Sequence, residues 1–185
     1  MGRDSDPIPH TAAPDLWSHY GKNPATRVMD RINWDWYQRK GPGDELLGEL
    51  TGLAVAELGY GTGHQAAYPA MALEPARLIG LDSSLTQYTH SQTLYGHVPG
   101  LEFVHTDAAA FLSNGPQTLD VAYSIFGALD FSDPQILLAA LATALRPGGS
   151  GRWRPRRSGH FRTRQVEQPL ETDPATSPRT CGSTP

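Results

Sequence analysis

Short apolar runs alternate with helix-like segments between residues 53 and 149, and this alternation limits the possible fold more than any other feature of the chain. The runs predict β-strands at 53–58, 76–82, 101–107 and 119–126. Helices are predicted from about 62 to 73, from about 85 to 95, at 108–112 and at 135–146. Continuous apolar strands with intervening helices form a parallel sheet that is covered on both faces. We therefore predict an α/β fold with a Rossmann-like, doubly wound and mostly parallel sheet.

Residue types that favour helix ends mark several boundaries. Ser83 or Ser84 is expected to cap the second helix, and Asp133-Pro134 opens the last one, which stops at Pro147-Gly148-Gly149. Pro69 removes a backbone N–H from the first helix and is expected to kink or shorten it. Before the sheet, we predict a short helix within 41–52, with Asp44 as its N-cap and Gly52 as its stop.

Composition and charge exclude several classes of protein. No apolar run approaches the ~20 residues that cross a bilayer, and the acidic start of the chain is unlike a signal peptide. A cytoplasmic protein without a membrane partner is expected. Cys181 is the single cysteine, which excludes an internal disulfide and a multi-cysteine metal site, so we predict no metal. Residues 1–150 carry 8 Lys/Arg against 16 Asp/Glu, which argues against nucleic acid as the main partner.

The stretch VAELGYGTGHQ, at 55–65, places three glycines on alternate positions after a strand. Such a turn exposes backbone N–H groups at a helix N-terminus and lets a ligand touch the backbone. The dinucleotide pattern G-x-G-x-x-G needs glycine where His64 stands, so a nicotinamide cofactor would need a variant site. No G-K-[ST] follows, which excludes a P-loop. A tight strand-to-helix turn without a ligand is the alternative explanation of the glycines.

The pattern E-L-G-Y-G-T-G resembles motif I of the class I S-adenosylmethionine-dependent methyltransferases. In that family the glycine loop lies against the amino-acid and ribose parts of the cofactor. The resemblance implies that S-adenosylmethionine is the cofactor. It also implies cofactor contacts from Glu57, Gly59, Tyr60, Gly61 and Gly63. Tyr60 stands where a small residue or cysteine is usual, so its phenol is expected either to stack over the cofactor or to crowd it.

Acidic residues end the next two predicted strands. Asp82 lies 19 residues after Gly63, and by resemblance it accepts the ribose hydroxyls, with Ser83 beside it. Asp107 and the backbone N–H of Ala108 occupy the place where the family reads adenine. A helix cap is the alternative role for each aspartate.

The fourth strand and the helix after it complete the resemblance. LDVAYSIFGALDF, from Leu119, resembles motif IV, whose strand end lies beside the transferred methyl group. Ser124 is accordingly expected to contact the cofactor, and Phe126 the substrate. LLAALATALRPGG resembles the helix and tight turn that precede the family's fifth strand.

Aromatic residues concentrate before the sheet, where 1–14 is predicted to be a mobile arm and 15–52 a helical cap. Helices are predicted at 15–20 and 26–37. The cap resembles that of small-molecule methyltransferases, in which it closes over the cofactor. By resemblance Tyr20 reaches the cofactor carboxylate, and Trp17, Trp34 and Trp36 wall the substrate site. The alternative is that these aromatics only pack the cap on the sheet.

The sequence does not identify a catalytic residue. Methyl transfer from a sulfonium requires an acceptor held in line and water excluded, with a general base where the acceptor is a hydroxyl. Of the seven histidines, His19 in the cap is the candidate base. His105 is expected on the flank of the sheet.

After Gly149 the sequence changes character. Residues 150–185 are rich in Arg and Pro, and without an apolar run they are predicted to be mostly disordered. A basic arm for RNA or an acidic partner is one alternative, and a reading-frame shift is another. We therefore expect a sheet truncated after the fourth strand and its helix, against a family order of 3-2-1-4-5-7-6, with the fourth strand as an exposed edge.

Two functions follow from the sequence. The first is methyl transfer from S-adenosylmethionine to an O, N or C atom of a small-molecule acceptor. The second is a truncated, non-catalytic domain that binds the cofactor weakly or not at all. The motifs of residues 53–149 favour the first, and the predicted loss of the later strands favours the second.

Overall fold

The protein is described here by a computed structural model, which covers residues 29–34 and 41–154 and the backbone of residues 164–167. The strands are β1 (Ala54–Leu58), β2 (Arg77–Asp82), β3 (Leu101–His105), β4 (Leu119–Ile125), β5 (Leu145–Arg154) and β6 (Arg164–Glu167). They form one sheet in the order β3-β2-β1-β4-β5-β6. All neighbours pair in parallel except β5 and β6, which are antiparallel. The predicted Rossmann-like, mostly parallel sheet is confirmed.

Helices cover both faces of this sheet. They are α1 (His64–Ala72), α2 (Leu85–Tyr95), α3 (Ala108–Ser113) and α4 (Pro134–Ala144). Alternate residues of β1 enter opposite cores: Val55 packs with α1 and α2, whereas Ala56 and Leu58 pack with α3 and α4. All five residues of β1 are buried, because this strand lies inside the sheet and between both helical layers.

Polar side chains cap three of the four helices. Ser84, rather than Ser83, accepts the Gln87 N–H and begins α2, while Asp107 and Asp133 accept N–H groups in the first turns of α3 and α4. Helix α1 is nine residues long and has Gly63 as its N-cap, so no side chain caps it. It contains Pro69 and continues past it to Ala72.

Two predicted helix ends are wrong. The segment 41–52 contains only a 3-10 turn, Asp44–Leu46, and Asp44 is its first residue rather than its cap. No side chain caps this turn. Helix α4 ends at Ala144, and the Pro147-Gly148-Gly149 turn lies within β5.

The prediction that the sheet stops at its fourth strand is also wrong. β5 extends to Arg154 and pairs with β4 from Leu119↔Leu145 to Ile125↔Arg154, so β4 is not an edge. From Gly149 to Trp153, buried residues alternate with half-buried ones. Two of the three buried positions are glycines, which bury backbone without an apolar side chain. A search for apolar runs therefore misses this strand.

Residues 29–34, which we name the N-segment, dock on the sheet face that carries α1 and α2. Ile32 and Trp34 are fully buried, and Trp34 Nε1 donates a hydrogen bond to the Gly43 carbonyl at 2.8 Å. The N-segment is irregular rather than helical, which corrects this part of the predicted helix 26–37.

Several predictions lie outside the described residues. They are the mobile arm 1–14, the helix 15–20, the remainder of the helix 26–37, and the disordered tail apart from 150–154 and 164–167. Within the described part of the chain, no helix has the length and apolar character that a membrane span requires.

Candidate functional site

The carboxyl ends of the parallel strands surround a cavity of about 430 Å³. It lies where β1 has neighbours on both sides, with the connections to β2 and β4 leaving on opposite faces of the sheet. Open α/β sheets bind ligands at such switch points. The cavity is lined by Glu57, Gly59, Tyr60, Gly61, Thr62, His64, Gln65, Leu81, Asp82, Ser83, Gln87, Thr106, Asp107, Ala108, Ile125, Phe126, Gly127, Ala128, Phe131 and Ser132.

The glycine loop between β1 and α1 needs its glycines for two reasons. All three have positive φ, at 76° for Gly59, 58° for Gly61 and 88° for Gly63, a region that other L-residues enter at a cost. A Cβ on Gly59 would lie 2.5 Å from the Ala128 nitrogen, so this glycine permits close packing of two backbones. A Cβ on Gly61 would meet nothing within 4 Å. The loop is therefore tight at Gly59 and open to a ligand at Gly61.

Asp82 joins this loop to the next strand. Its Oδ2 accepts the Gly61 N–H at 2.9 Å, and its Oδ1 accepts the Ser84 N–H at 2.8 Å. Burial raises the pKa of Asp82, against the opposing effect of these two N–H groups. Each carboxylate oxygen keeps a further lone pair. Asp82 can therefore accept hydrogen bonds from a ligand while it holds the loop.

Glu57 is buried in the cavity wall beside Tyr123. The Tyr123 hydroxyl lies 3.0 Å from the Gln65 carbonyl oxygen and 3.3 Å from Glu57 Oε2. Because a hydroxyl has one proton to donate, both contacts are satisfied when Glu57 is protonated and donates to Tyr123. Burial raises the pKa of Glu57 well above its ordinary value, and the nearby Asp82 acts in the same direction. The raised pKa favours the protonated form of Glu57, in which both contacts of the Tyr123 hydroxyl are satisfied.

Asp107 and Ala108 form the opposite wall at the end of β3. Asp107 Oδ1 accepts the Ala110 N–H at 2.8 Å, so the helix-cap role left open by the sequence is observed. The side chain is exposed, and its second oxygen has no protein partner among the described hydrogen bonds. Capping and ligand recognition are therefore compatible.

The end of β4 is strained where it reaches the cavity. Phe126 has φ 55°, and its N–H donates to the Arg154 carbonyl at 2.9 Å. A left-handed conformation costs a bulky residue about 1–2 kcal/mol. A Cβ on Gly127 would lie 2.5 Å from the Leu58 carbonyl oxygen, so only glycine fits there. The strained Phe126 and the tightly packed Gly127 therefore fix the backbone at the end of β4, which faces the glycine loop.

Most sequence-predicted site residues meet at this cavity. Lining it are Glu57, Gly59, Tyr60, Gly61, Asp82, Ser83, Asp107, Ala108 and Phe126. The Tyr60 ring is 4% exposed and packs on Phe103, with ring centroids 4.7 Å apart. Burial raises the pKa of its phenol, which stays neutral.

Other predicted residues lie elsewhere. Ser124 is buried between strands and donates to the Leu58 carbonyl at 2.7 Å. Gly63 packs under Phe103, and Trp34 is in the core, so these three do not line the cavity. For Trp34 the packing alternative is the observed one. Tyr20, Trp17, Trp36 and His19 lie outside the described residues.

Two histidines flank the cavity region. His64 lines it, with Thr62 Oγ1 2.9 Å from its Nε2, and burial lowers the pKa of the imidazole, which favours the neutral form. His105 is exposed, as expected for the flank of the sheet, and its Nε2 lies 3.0 Å from the Ser83 carbonyl oxygen.

Sequence reasoning missed Gln65, Gly127 and the conformation of Phe126. The first two had a signal. Gln65 follows the glycine loop on the first turn of α1, and Gly127 follows the apolar strand β4 directly. No feature of the sequence indicates the positive φ of Phe126, because an aromatic residue at the end of a strand is common.

Comparison with known proteins identifies the family. Residues 55–149 match the model of a methyltransferase domain. A probable phthiotriol/phenolphthiotriol dimycocerosates methyltransferase of Mycobacterium ulcerans is 30% identical over 125 residues, which are 68% of this chain and 46% of that protein.

Solved structures agree on the fold. An S-adenosylmethionine-dependent methyltransferase from Mesorhizobium loti aligns with a TM-score of 0.51 at 25% identity, over 59% of this chain and 48% of its own. A Haemonchus contortus phosphoethanolamine N-methyltransferase, solved with phosphoethanolamine and S-adenosylhomocysteine, aligns with a TM-score of 0.57 at 18% identity, over 76% of this chain and 31% of its own. The chain spans about half of the length of the Mycobacterium ulcerans and Mesorhizobium loti proteins and a smaller share of the Haemonchus contortus enzyme. With its sheet order and glycine loop, the chain belongs to the class I S-adenosylmethionine-dependent methyltransferases.

Proposed function

We propose that this chain binds S-adenosylmethionine in the cavity and that the protein transfers its methyl group to a small molecule. The observation that carries the proposal is Asp82. Its carboxylate lies at the end of β2, holds the glycine loop through Gly61, and still has acceptor capacity toward the cavity. Family membership supports the same cofactor.

The residues of the cavity fit this cofactor. Asp82 has the free lone pairs that two ribose hydroxyls need, and the open space over Gly61 admits a ligand to the backbone. At the other wall, the second oxygen of Asp107 and the backbone N–H of Ala108 suit an adenine amino group and a ring nitrogen. The raised pKa of Glu57 favours its uncharged form beside Asp82.

The bound cofactor would supply a methyl group already activated on a sulfonium, so the protein has to position an acceptor and exclude water. Ile125, Phe126, Ala128 and Phe131 give the β4 side of the cavity an apolar surface for that purpose. Among the described lining residues, His64 is the one imidazole. His19 stays a candidate base in the part of the chain that the structure does not describe.

A second function is the cofactor-binding domain without catalysis. Its support is that the described cavity residues account for cofactor contacts, whereas no described residue is assigned to catalysis. Substrate sites in this family draw on later segments, so cofactor binding and methyl transfer have to be tested separately. We propose methyl transfer to a small-molecule acceptor as the function and the binding-only domain as the alternative.

Isothermal titration with S-adenosylhomocysteine tests the site. We expect saturable binding by the wild-type chain. Asp82→Asn should weaken it about 10- to 100-fold, since hydrogen bonds to a charged group contribute about 1.5–3 kcal/mol. The matched control is Glu102→Gln, which changes an exposed carboxylate on β3 outside the cavity. Absence of binding by a folded wild-type sample, judged by its thermal transition, would reject the cofactor site.

A further inference from the structure

Gln65 connects the cavity wall to the N-segment. Its Nε2 donates to the Asn33 carbonyl oxygen at 3.0 Å, and its Oε1 accepts the Asn33 N–H at 3.3 Å. One side-chain amide thus satisfies both backbone groups of one residue, as a neighbouring strand would. Gln65 also lines the cavity. The residue therefore touches the ligand space and the N-segment at once.

Burial makes this pairing costly to break. Gln65 is 7% exposed and Asn33 is 5% exposed, so neither group can exchange its partner for bulk water. An unpaired buried amide is strongly unfavourable. The fully buried Ile32 and Trp34 flank Asn33 and hold the N-segment against the same core.

The backbone of Gln65 is fixed independently of its side chain. Its carbonyl oxygen accepts the Tyr123 hydroxyl at 3.0 Å, and Tyr123 in turn contacts Glu57 in the cavity wall. The first turn of α1 is therefore anchored to β4 at the position from which the Gln65 side chain leaves. This anchoring limits the directions in which the amide can point.

We propose that Gln65 is a positioning residue that fixes the backbone of Asn33, and with it the N-segment, beside the cofactor cavity. The inference rests on the proposed function only in assigning a ligand to that cavity. The pairing of Gln65 with Asn33 is a separate claim and is tested without any ligand.

Amide hydrogen exchange in the full chain without ligand is the first test. Gln65→Leu keeps side-chain bulk and removes both hydrogen bonds, so the Asn33 amide should exchange about tenfold faster or more. The matched control is Gln135→Leu, an exposed glutamine on α4. Exchange within β1 serves as the internal measure of folding. Unchanged exchange at Asn33 in the leucine variant would overturn the proposal.

Gln65→Glu separates hydrogen bonding from packing. A protonated carboxyl group both donates and accepts, and so restores both contacts to Asn33, whereas a carboxylate turns an oxygen toward the Asn33 carbonyl. Protection of Asn33 should therefore approach the wild-type value below about pH 4, where a glutamate carboxyl group is mostly protonated, and fall as the pH rises. If the glutamate variant at that pH exchanges as fast as the leucine variant, Gln65 acts through packing alone and the proposal fails.

The last test measures the effect of ligand binding on hydrogen exchange at Asn33. Because ligand and N-segment both meet Gln65, S-adenosylhomocysteine should slow exchange at Asn33 in the wild type but not in Gln65→Leu. Titration against the wild type shows separately whether the ligand binds. If it does not bind, the proposed function fails while the ligand-free result stands. If it binds and exchange at Asn33 does not respond, the placement of the N-segment beside the cofactor is wrong.

Discussion

Glu57 shows what a single buried carboxyl group does to the pH dependence of stability. Burial raises its folded-state pKa, so the folded protein holds this proton to a higher pH than the unfolded chain does. This contribution is fully present below the unfolded value of about 4.5 and is lost as the pH rises toward the folded pKa. Asp82, whose pKa is also raised, changes stability with the same sign.

Glu57→Gln should remove much of this pH dependence, because the amide is neutral at every pH and can still donate to Tyr123. We expect equal stability of variant and wild type near pH 4. By pH 8 the free energy of unfolding of the variant should exceed that of the wild type by about 1 kcal/mol or more, since each unit of pKa shift corresponds to about 1.4 kcal/mol. Denaturant unfolding at several pH values measures this. If the free energies of unfolding of the two proteins change with pH in parallel, Glu57 is ionised in the folded protein.

At the scale of elements, the glycine loop combines two functions that a pair of substitutions can separate. Both Gly59 and Gly61 have positive φ, but only Gly59 has a backbone neighbour where a Cβ would lie. Gly59→Ala should cost about 2–4 kcal/mol, because neither strand end can move away. Gly61→Ala should cost about 1 kcal/mol and weaken S-adenosylhomocysteine binding. Thermal unfolding and titration of both variants measure this, and equal destabilisation would contradict the packing at Gly59.

Most of the secondary structure elements could be predicted from the sequence, whereas the contacts between distant residues could not. β1 to β4 and the helices between them follow from apolar runs and end signals such as Asp133-Pro134, which are local. The glycine loop and Asp82 follow from a motif. By contrast, the packing of Gly59 on Ala128 and the pairing of Gln65 with Asn33 join distant parts of the chain, and no local pattern encodes them. Residues 26–37 look helical in sequence, and nothing local in them reveals that Asn33 pairs with the distant Gln65 side chain.

For the whole molecule, the decisive difference from the sequence prediction is β5. This strand lies between β4 and β6, and its Phe126–Arg154 contact helps to hold the strained end of β4 at the cavity. The charged stretch that was expected to be a disordered tail therefore contributes to the sheet, through β5 up to Arg154 and through β6 at Arg164–Glu167. Stability and the shape of the cavity should both depend on it.

Arg152→Pro tests this dependence, because Arg152 pairs with Tyr123 on one side and Gln165 on the other. Proline removes the ladder N–H of an interior strand, and we expect a loss of about 3 kcal/mol or more. Arg152→Ala keeps the backbone and is the matched control, with a change below about 1 kcal/mol. Denaturant unfolding gives both values, and titration with S-adenosylhomocysteine should show weaker binding for the proline variant. Equal stability of the two variants would mean that β5 does not pair in solution, and the sheet would then end at β4 as the sequence first predicted.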